Sequence, residues 1–458
     1  MRYHESILSA IGETPLVRLR KIVPKDAATV LVKAEFMNPA GSIKDRMALH
    51  IIEKAEKDGR LKPGGIIVEN TSGNTGLGVA MAAAVKGYRC IFTIPDKMSL
   101  EKINMLKAFG AEVVVTPTNV PAESPESYYE TAKRIARETP GAFYINQYDN
   151  PDNIEAHYLS TGPEIWRQTE GQIDAFVAGI GTGGTMSGAG KYLKEKKPSV
   201  KTIAVDAIGS IYKGLFETGK MSTPHVYKVV GIGEDRLCKA MDFSVVDEVR
   251  QVDDRISFQI ARRMTREEGL FSGGSSGSAV AVAMQVAKEL GPGKMVVVVL
   301  PDSGTRYITK YFSDEWMKDN GFLEPAIDAM GTVGELIGTT KTVVTAGKKE
   351  PAQVVIDRMK KGGYSQLPVV DDRGHGVGMI DEVDLLTAIL EKRMDLTQPI
   401  EAAIQPLEGR VTRATPVRQL MEIFNRGNVA VVVEAEAPVA IVTKIDVIDF
   451  LAKQKAIV

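Results

Sequence analysis

The sequence predicts an α/β protein whose main part is a parallel sheet, followed by a smaller module that occurs twice. Short apolar runs alternate with helical patterns from Val30 to about Leu300, as in parallel sheets covered by helices on both faces. Glycine-rich stretches follow several of these runs, at the sheet edge where ligands bind. Beyond them, the pattern around Asp384 returns 62 positions later around Asp446. We therefore expect one ligand-binding domain and one paired module.

The apolar runs and the helical patterns place the individual elements. The predicted strands are Val30 to Phe36, Ile66 to Glu69, Cys90 to Ile94, Glu112 to Val115, Ala175 to Ala178, Thr202 to Val205 and Met295 to Leu300. The predicted helices include one that ends near Lys57, together with Asn74 to Lys86, Ser99 to Phe109, Glu126 to Glu138, Met186 to Glu195 and Ala279 to Glu289.

Composition narrows the class of protein. The 458 residues are 44% hydrophobic and 25% charged, which is typical of a soluble protein of two or more domains. A net charge of -1 predicts neither a nucleic-acid surface nor attraction to membranes, and the apolar runs are too short to span a bilayer. No secretory signal is visible, and two cysteines cannot make a disulfide framework, so a cytoplasmic protein is expected. The five histidines lack ligand spacing, and no metal site is predicted.

Lys44 lies in the stretch that follows the first predicted strand. Pro39 and Gly41 break the chain there, and Ser42 with Asp45 predicts a capping box that starts a helix. The helix dipole and burial would both favour a neutral amine at Lys44. A neutral lysine can form a Schiff base with an aldehyde cofactor. On local grounds alone, a solvated lysine beside an ordinary cap has the same pattern.

Three further stretches fall where a predicted strand or turn leads into a helix. Thr71 to Gly76 gathers hydroxyls, an amide and glycines, which suits a carboxylate anion. Gly181 to Thr185 offers small residues and threonine hydroxyls to a phosphate, without the dinucleotide or P-loop spacing. Gly273 to Ser278 could bring a serine hydroxyl to a heterocycle nitrogen. The alternatives are a capped turn for the first stretch and a flexible glycine-serine turn for the third.

Together these stretches resemble one enzyme family. Asn-Pro-Ala-Gly-Ser-Ile-Lys-Asp-Arg (38–46), Thr-Ser-Gly-Asn-Thr-Gly (71–76), Gly-Thr-Gly-Gly-Thr (181–185) and Gly-Gly-Ser-Ser-Gly-Ser (273–278) look like the fold type II pyridoxal-phosphate enzymes. The resemblance covers about residues 5–323 and implies a fold of two parallel-sheet α/β subdomains. It also implies pyridoxal 5'-phosphate as the cofactor.

The resemblance implies a role for each matching residue. Lys44 would be the Schiff-base lysine and the acid/base, and Asn74 would bond the ring hydroxyl of the cofactor. Ser275 would face the pyridine nitrogen, where a neutral hydroxyl favours β-elimination and replacement. The phosphate would be held by Gly181, Thr182, Gly183, Gly184 and Thr185. The substrate would be held by Thr71, Ser72, Thr75, Gln147, Tyr148 and Gly231.

More narrowly, the chain is similar to family members that replace the hydroxyl of L-serine with homocysteine. Glu234 stands where their vertebrate form has a tyrosine, and it would either favour an amine-bearing second substrate or be a solvated loop carboxylate. No haem is expected, since the haem-bearing extension of the vertebrate form is not matched. The alternatives are a cysteine synthase that uses O-acetylserine and sulfide, and an inactive nucleotide-sensing protein. The family suggests a homodimer or a homotetramer.

The C-terminal repeat resembles a tandem CBS-domain pair with a β-α-β-β-α unit in each copy. The resemblance implies an adenosyl ligand, which we expect to be S-adenosylmethionine, with AMP and ATP as alternatives. Its site would hold Thr443 and Asp446, helped by Tyr364 and Gln366. The first repeat has Asp381 in place of the threonine, so one competent site is expected; a purely structural pair is the alternative. The predicted domains are 1–320 (catalytic), 321–334 (linker), 335–395 and 396–458 (the repeats).

Overall fold

The computed structural model describes the whole chain except residues 2, 72, 97, 99, 122, 324–330, 339–342 and 456–458. It divides into two compact units, Met1–Leu323 and Glu324–Val458. None of the helices in the described ranges is long and apolar enough to cross a bilayer.

The first unit contains ten strands and eleven α-helices among its described residues. The strands are Leu16–Arg18 (β1), Thr29–Ala34 (β2), Ile66–Asn70 (β3), Arg89–Pro95 (β4), Glu112–Thr116 (β5), Ala142–Tyr144 (β6), Ala175–Gly179 (β7), Lys201–Ala207 (β8), Glu248–Val252 (β9) and Met295–Leu300 (β10). The helices are Lys44–Lys57 (α1), Asn74–Lys86 (α2), Leu100–Ala108 (α3), Tyr128–Glu138 (α4), Pro151–Leu159 (α5), Thr161–Gln168 (α6), Gly184–Lys196 (α7), Tyr212–Thr218 (α8), Asp254–Arg263 (α9), Gly274–Leu290 (α10) and Asp314–Asp319 (α11).

The strands of the first unit form two sheets. Six strands pair in the order β1-β2-β10-β7-β8-β9, and four pair in the order β5-β4-β3-β6. All neighbours are parallel except β1, which runs antiparallel to β2. Val296 and Val298 on β10 belong to one apolar core, and Val297 and Val299 belong to another. The central sheet is therefore covered on both faces, which confirms the predicted fold class.

Three strands were not predicted from the sequence, and all three are edge strands. β1 and β6 have only three residues each, too few to show a periodicity. β9 reads Glu-Val-Arg-Gln-Val and lies at the edge of its sheet, where polar side chains stay in water.

Helix α10 begins at Gly274, five residues earlier than predicted. The third glycine-rich stretch is therefore helical, and the alternative of a flexible turn is wrong. A Cβ at Gly277 would lie 1.9 Å from the carbonyl oxygen of Ser257 on α9. Glycine is needed there because the two helices approach each other closely.

The second unit contains two copies of the same three-stranded arrangement. The first copy consists of Ala346–Gly347 (β11), Ala352–Gly362 (α13), Gln366–Val370 (β12), Gly376–Asp381 (β13) and Glu382–Leu390 (α14). The second consists of Arg410–Val411 (β14), Leu420–Asn425 (α15), Ala430–Glu434 (β15), Ala437–Val442 (β16) and Lys444–Lys455 (α16). In each copy a short parallel strand pairs with an antiparallel hairpin, as the predicted β-α-β-β-α unit requires.

A further short helix precedes the first copy. Val333–Ile337 (α12) places Val333 in the apolar core of the second copy, although residues 321–334 were predicted as a linker. The boundaries of the individual repeats stay a prediction.

Candidate active site

Two adjoining cavities lie at the carboxyl ends of the strands in the first unit. The first cavity has a volume of about 50 Å³, and its wall includes Lys44, Asn74, Gly181, Thr182, Gly183, Thr185, Gly231, Ser275 and Asp302. The second cavity, of about 140 Å³, shares Lys44, Asn74 and Gly231 with the first and adds Thr71, Thr75, Gln147, Tyr148, Glu234, Lys102, Arg306 and Tyr307. The structure thus brings together residues that lie more than two hundred positions apart in sequence.

Nearly all of the predicted residues of the site line these cavities. Gly184 instead opens α7 with its Cα facing Asn153, since a Cβ there would lie 2.1 Å from the Asn153 amide oxygen. Ser72 lies outside the described residues. Lys102, Arg306, Asp302 and Tyr307 were given no role by the sequence analysis, because nothing in their local sequence shows which cavity they reach.

Lys44 is the first residue of α1 and lies on the wall of both cavities. Burial lowers the pKa of its amine, against the opposing effect of Glu234, Cys238 and Asp302. This direction agrees with the neutral amine that was predicted. A lysine that spends more time uncharged is a better nucleophile and proton acceptor.

The capping box predicted at the start of α1 is wrong. The Ser42 hydroxyl accepts a hydrogen bond from the amide of Lys44 at 3.2 Å, two residues on, and not from Asp45. The Asp45 carboxylate turns back to the amide of Ala40, at 2.6 Å. The Asp45 carboxylate therefore stabilises the loop before Lys44 and does not cap the helix.

The loop at the start of α2 is ordered by its own side chains. The Thr71 hydroxyl accepts hydrogen bonds from the amides of Gly73 and Gly76, at 3.2 and 3.1 Å. The Thr75 hydroxyl donates to the amide oxygen of Gln147 at 2.6 Å. Hydroxyls and an amide are thus gathered at a helix N-terminus, as a carboxylate-binding loop needs.

Glu234 is half-buried on the wall of the second cavity. Burial and the neighbouring Asp235 raise the pKa of its carboxyl to about 8, while Arg236 and Lys44 lower it. Its position favours the alternative in which Glu234 faces a ligand over that of a solvated loop carboxylate. Glu234 is placed to meet a ligand that enters the cavity.

Arg236 makes several contacts that hold the loop carrying Glu234 in place. Its guanidinium carbon lies 5.3 Å from the ring centre of Tyr129 and 5.1 Å from that of Tyr148. It also faces the Asp149 carboxylate at 3.6 Å, and the amide of Ala240 donates to the carbonyl of Tyr148 at 3.1 Å. Cation–π contacts and an ion pair therefore hold this loop against the start of α4 and the segment that follows β6.

Four charged side chains form a buried cluster around Arg46, in the first turn of α1. Arg46 contacts Glu35 at 2.7 and 2.8 Å and Glu164 at 2.8 Å, and Lys33 pairs with Glu164 as well. Burial alone would raise the pKa of Glu35, but Arg46 holds that pKa below its ordinary value. The two positive and two negative charges of this cluster balance each other inside the protein.

The residues of the first cavity fit pyridoxal phosphate. A Cβ at Gly181 would lie 2.9 Å from the carbonyl oxygen of Gly231, and a Cβ at Gly183 would lie 2.5 Å from Met241. A larger residue at either position would force the loop to move. Gly183, directly before α7, also has a φ of 91°, a conformation that favours glycine. Backbone amides at a helix N-terminus, together with the hydroxyls of Thr182 and Thr185, match a phosphate group.

A larger cavity, of about 730 Å³, lies in the second unit between its two repeats. All four residues predicted for an adenosyl ligand line it: Tyr364, Gln366, Thr443 and Asp446. The Asp446 carboxylate accepts from the amide and the hydroxyl of Thr443, at 2.9 and 2.6 Å, through the same oxygen.

Comparisons with known proteins agree with this geometry. Residues 7–302 match the family model of pyridoxal-phosphate dependent enzymes, and residues 333–391 match the CBS domain. The chain is 37% identical to the cystathionine beta-synthase of Dictyostelium discoideum, over 98% of this chain and 93% of that protein. It is 44% identical to the enzyme of that name from Mus musculus, over 84% and 69% of the two chains. It is 36% identical to the one from Saccharomyces cerevisiae, over 98% of both.

These matches confirm the predicted cofactor family, the predicted enzyme class and the resemblance of the C-terminal module. The chain belongs to the pyridoxal-phosphate-dependent enzymes and, within that family, to the cystathionine beta-synthases.

Proposed function

We propose that this enzyme replaces the hydroxyl of L-serine with the thiolate of homocysteine, which gives L-cystathionine and water. The observation that carries the choice of second substrate is Glu234, a carboxylate on the wall of the cavity that also holds Lys44. Homocysteine brings an ammonium group that this carboxylate can pair with, whereas sulfide brings none. The proposed assembly is a homodimer or homotetramer in the cytoplasm.

Lys44 would have two tasks in this reaction. When bound, pyridoxal phosphate supplies an aldehyde that condenses with amines and an electron sink for the carbon next to them. Lys44 would hold the cofactor through its amine, and then accept the α-proton of L-serine. Its lowered pKa leaves it able to take that proton.

The remaining residues bind and orient. Thr71, Thr75 and Gln147, with Ser72, would hold the carboxylate of L-serine. Tyr148 and Gly231 would limit the space beside the reacting carbon. Asn74 and Ser275 would contact the cofactor ring, and the stretch 181–185 would hold its phosphate. Fixing L-serine and the cofactor in this way, with Glu234 for homocysteine, replaces an encounter in solution by a reaction between neighbours.

The proposed reaction is tested by competition between second substrates. Purified enzyme would be given L-serine or O-acetylserine as first substrate, and homocysteine or sulfide as second. We expect L-serine with homocysteine to give the highest kcat/KM. A cysteine synthase would instead use O-acetylserine with sulfide better by orders of magnitude, and that result would overturn the proposal.

The variant Glu234→Gln tests the carboxylate directly. At pH 9, where Glu234 is ionised, we expect kcat/KM for homocysteine to fall about tenfold, the size of one charged contact, while the KM for L-serine stays unchanged. Because the pKa of Glu234 is raised to about 8, its carboxylate forms as the pH rises through that value. The homocysteine KM of the parent should therefore improve relative to that of the variant between pH 7 and pH 9.

The ionisation of the homocysteine thiol affects the KM of both proteins equally, so its effect cancels when the two KM values are compared. Equal homocysteine KM values for parent and variant across this range would rule out a role for Glu234 in binding the amine.

We further propose that the cavity of the second unit binds S-adenosylmethionine. Its described lining includes Glu335, Asp446 and Asp449 and no lysine or arginine. Acidic walls suit a ligand with a sulfonium and an ammonium group, and they disfavour the phosphates of AMP and ATP. An aspartate is also a good acceptor for a pair of ribose hydroxyls.

The two repeats differ at the equivalent aspartate. Asp384 in the first repeat uses one oxygen for Gln405, at 3.0 Å, and the other for the amide of Asp381, at 3.2 Å. Among the described contacts, Asp446 uses only Oδ2, which leaves Oδ1 for a ligand. This contrast supports a single competent site.

The variant Asp446→Asn is expected to raise the Kd for S-adenosylmethionine at least tenfold, because a charged acceptor is lost. Isothermal titration calorimetry on the full chain would measure it. Asp384→Asn is the matched control and should bind as the parent does. Tighter binding of AMP than of S-adenosylmethionine, or equal Kd values for both variants, would contradict the assignment.

A further inference from the structure

Asp302 is a buried carboxylate on the wall of the first cavity. It follows β10 by two residues, and only 2% of its surface is exposed. Its Oδ2 accepts hydrogen bonds from the amide nitrogen of Asn74, at 2.9 Å, and from the hydroxyl of Tyr307, at 2.7 Å. Its Oδ1 is buried without a hydrogen-bond partner among the described residues.

The backbone holds Asp302 firmly. It pairs with Ser42, two residues before Lys44, in an isolated antiparallel bridge. Its carbonyl accepts from the amide of Gly273 at 3.0 Å, directly before α10, which carries Ser275. The starts of α1, α2 and α10 are therefore all tied to this one residue.

Asn74 depends on Asp302 for its orientation. Within the described part of the chain, its side chain makes no hydrogen bond other than the one to Asp302. An amide side chain has an accepting end and a donating end, whereas an ionised carboxylate only accepts. Burial raises the pKa of Asp302, and the hydrogen bonds that Asn74 and Tyr307 donate oppose that change by stabilising the ionised form. Asp302 therefore holds the nitrogen end of Asn74 on its own side, and the second hydrogen of that nitrogen remains to be donated.

We propose that Asp302 is a positioning residue that sets Asn74 as a hydrogen-bond donor to the ring hydroxyl of pyridoxal phosphate. The proposal rests on the cofactor contact proposed for Asn74, and it does not depend on which second substrate the enzyme uses. Without the carboxylate, the amide is free to turn over. It would then present its oxygen, and the ring oxygen would lose the N–H donor that the proposal assigns to it.

A double-mutant cycle on the full chain tests the proposal. The cofactor Kd and the visible absorbance of the bound cofactor would be measured for Asp302→Asn, Asn74→Ala and the double variant. We expect each single variant to raise the cofactor Kd about tenfold and to shift the absorbance in the same direction. If Asp302 acts through Asn74, the double variant should also stay near tenfold.

Independent effects would instead multiply to about a hundredfold, and that result would overturn the proposal. An Asn74→Ala protein with unchanged cofactor Kd and absorbance would show that Asn74 does not contact the cofactor, and the proposal for Asp302 would fall with that contact. The same result would not bear on the choice between homocysteine and sulfide. The two failures are therefore distinguishable.

Two further variants separate positioning from general structural support. Tyr307→Phe removes the other hydrogen bond to the same oxygen but leaves the one to Asn74, so it should change the cofactor Kd and the absorbance less than Asp302→Asn does; an equal or larger change would contradict the proposal. Asn74→Asp sets a second carboxylate against Asp302 and should weaken cofactor binding more than Asn74→Ala does. This comparison remains decisive if Asp302→Asn does not fold, since an equal or smaller loss would overturn the proposal.

Discussion

Replacing Lys44 with alanine is expected to lower kcat/KM about a thousandfold or more. Acid–base catalysis by one positioned group contributes about 10²–10⁴-fold, and Lys44 would also be the covalent anchor of the cofactor. The visible absorbance of the bound cofactor should change with the activity, because the covalent link to the protein is lost. Steady-state rates and an absorbance spectrum of the purified variant would check both effects.

Lys57→Ala is the matched control for this experiment. Lys57 is the last residue of the same helix and is exposed, so its loss should leave the rate and the spectrum as they are. A Lys44→Ala enzyme that turned over at the rate of the parent would end the assignment of Lys44 as the reacting lysine.

Replacing Arg46 with alanine is expected to destabilise the first unit by about 3–5 kcal/mol, the usual cost of breaking a buried ion pair. The Glu35 carboxylate would lose its ion pair inside the protein, and Glu164 would keep only the one with Lys33. Tryptophan fluorescence during urea unfolding is a suitable measurement. Both tryptophans of the chain, Trp166 and Trp316, belong to the first unit, so the signal reports that unit alone.

Arg167→Ala provides the control, since Arg167 pairs with Glu13 and both side chains are largely exposed. Exposed ion pairs contribute little to stability, so its unfolding curve should match that of the parent. The buried cluster also predicts a pH dependence. Arg46 holds the pKa of both carboxyls low, so its contribution is present near neutral pH and is lost as the pH falls through their folded-state pKa values. Equal midpoints for Arg46→Ala and Arg167→Ala would contradict this account.

The elements predicted most accurately from the sequence are those whose ends are set by neighbouring residues in the chain. The helix Asn74–Lys86 agrees with its prediction at both ends, because a glycine-rich loop precedes it and Gly87 closes it in the left-handed conformation. The predicted cavity residues also came together, since parallel strands bring their carboxyl ends to one edge. Local sequence was therefore enough for the main frame of the site.

Contacts between distant segments could not be predicted. Lys33 and Glu35 lie inside an apolar run, so two charges in that strand were visible from the sequence. Their partners lie up to 131 positions away, however, and no local pattern names Glu164. Asp302 is a similar case, because its position after a buried strand was clear while its bond to Asn74, 228 positions away, was not. Such side-chain pairings depend on the tertiary packing.

The balanced charge of the buried cluster around Arg46 restricts which substitutions this protein can accept. Lys33, Glu35, Arg46 and Glu164 sum to zero, and a change of charge at any one of them leaves a net charge buried. A library that varies one of these positions at a time should therefore yield few folded proteins. Acceptable replacements would be reached by changing a positive and a negative member together, so these positions should drift in pairs over evolutionary time.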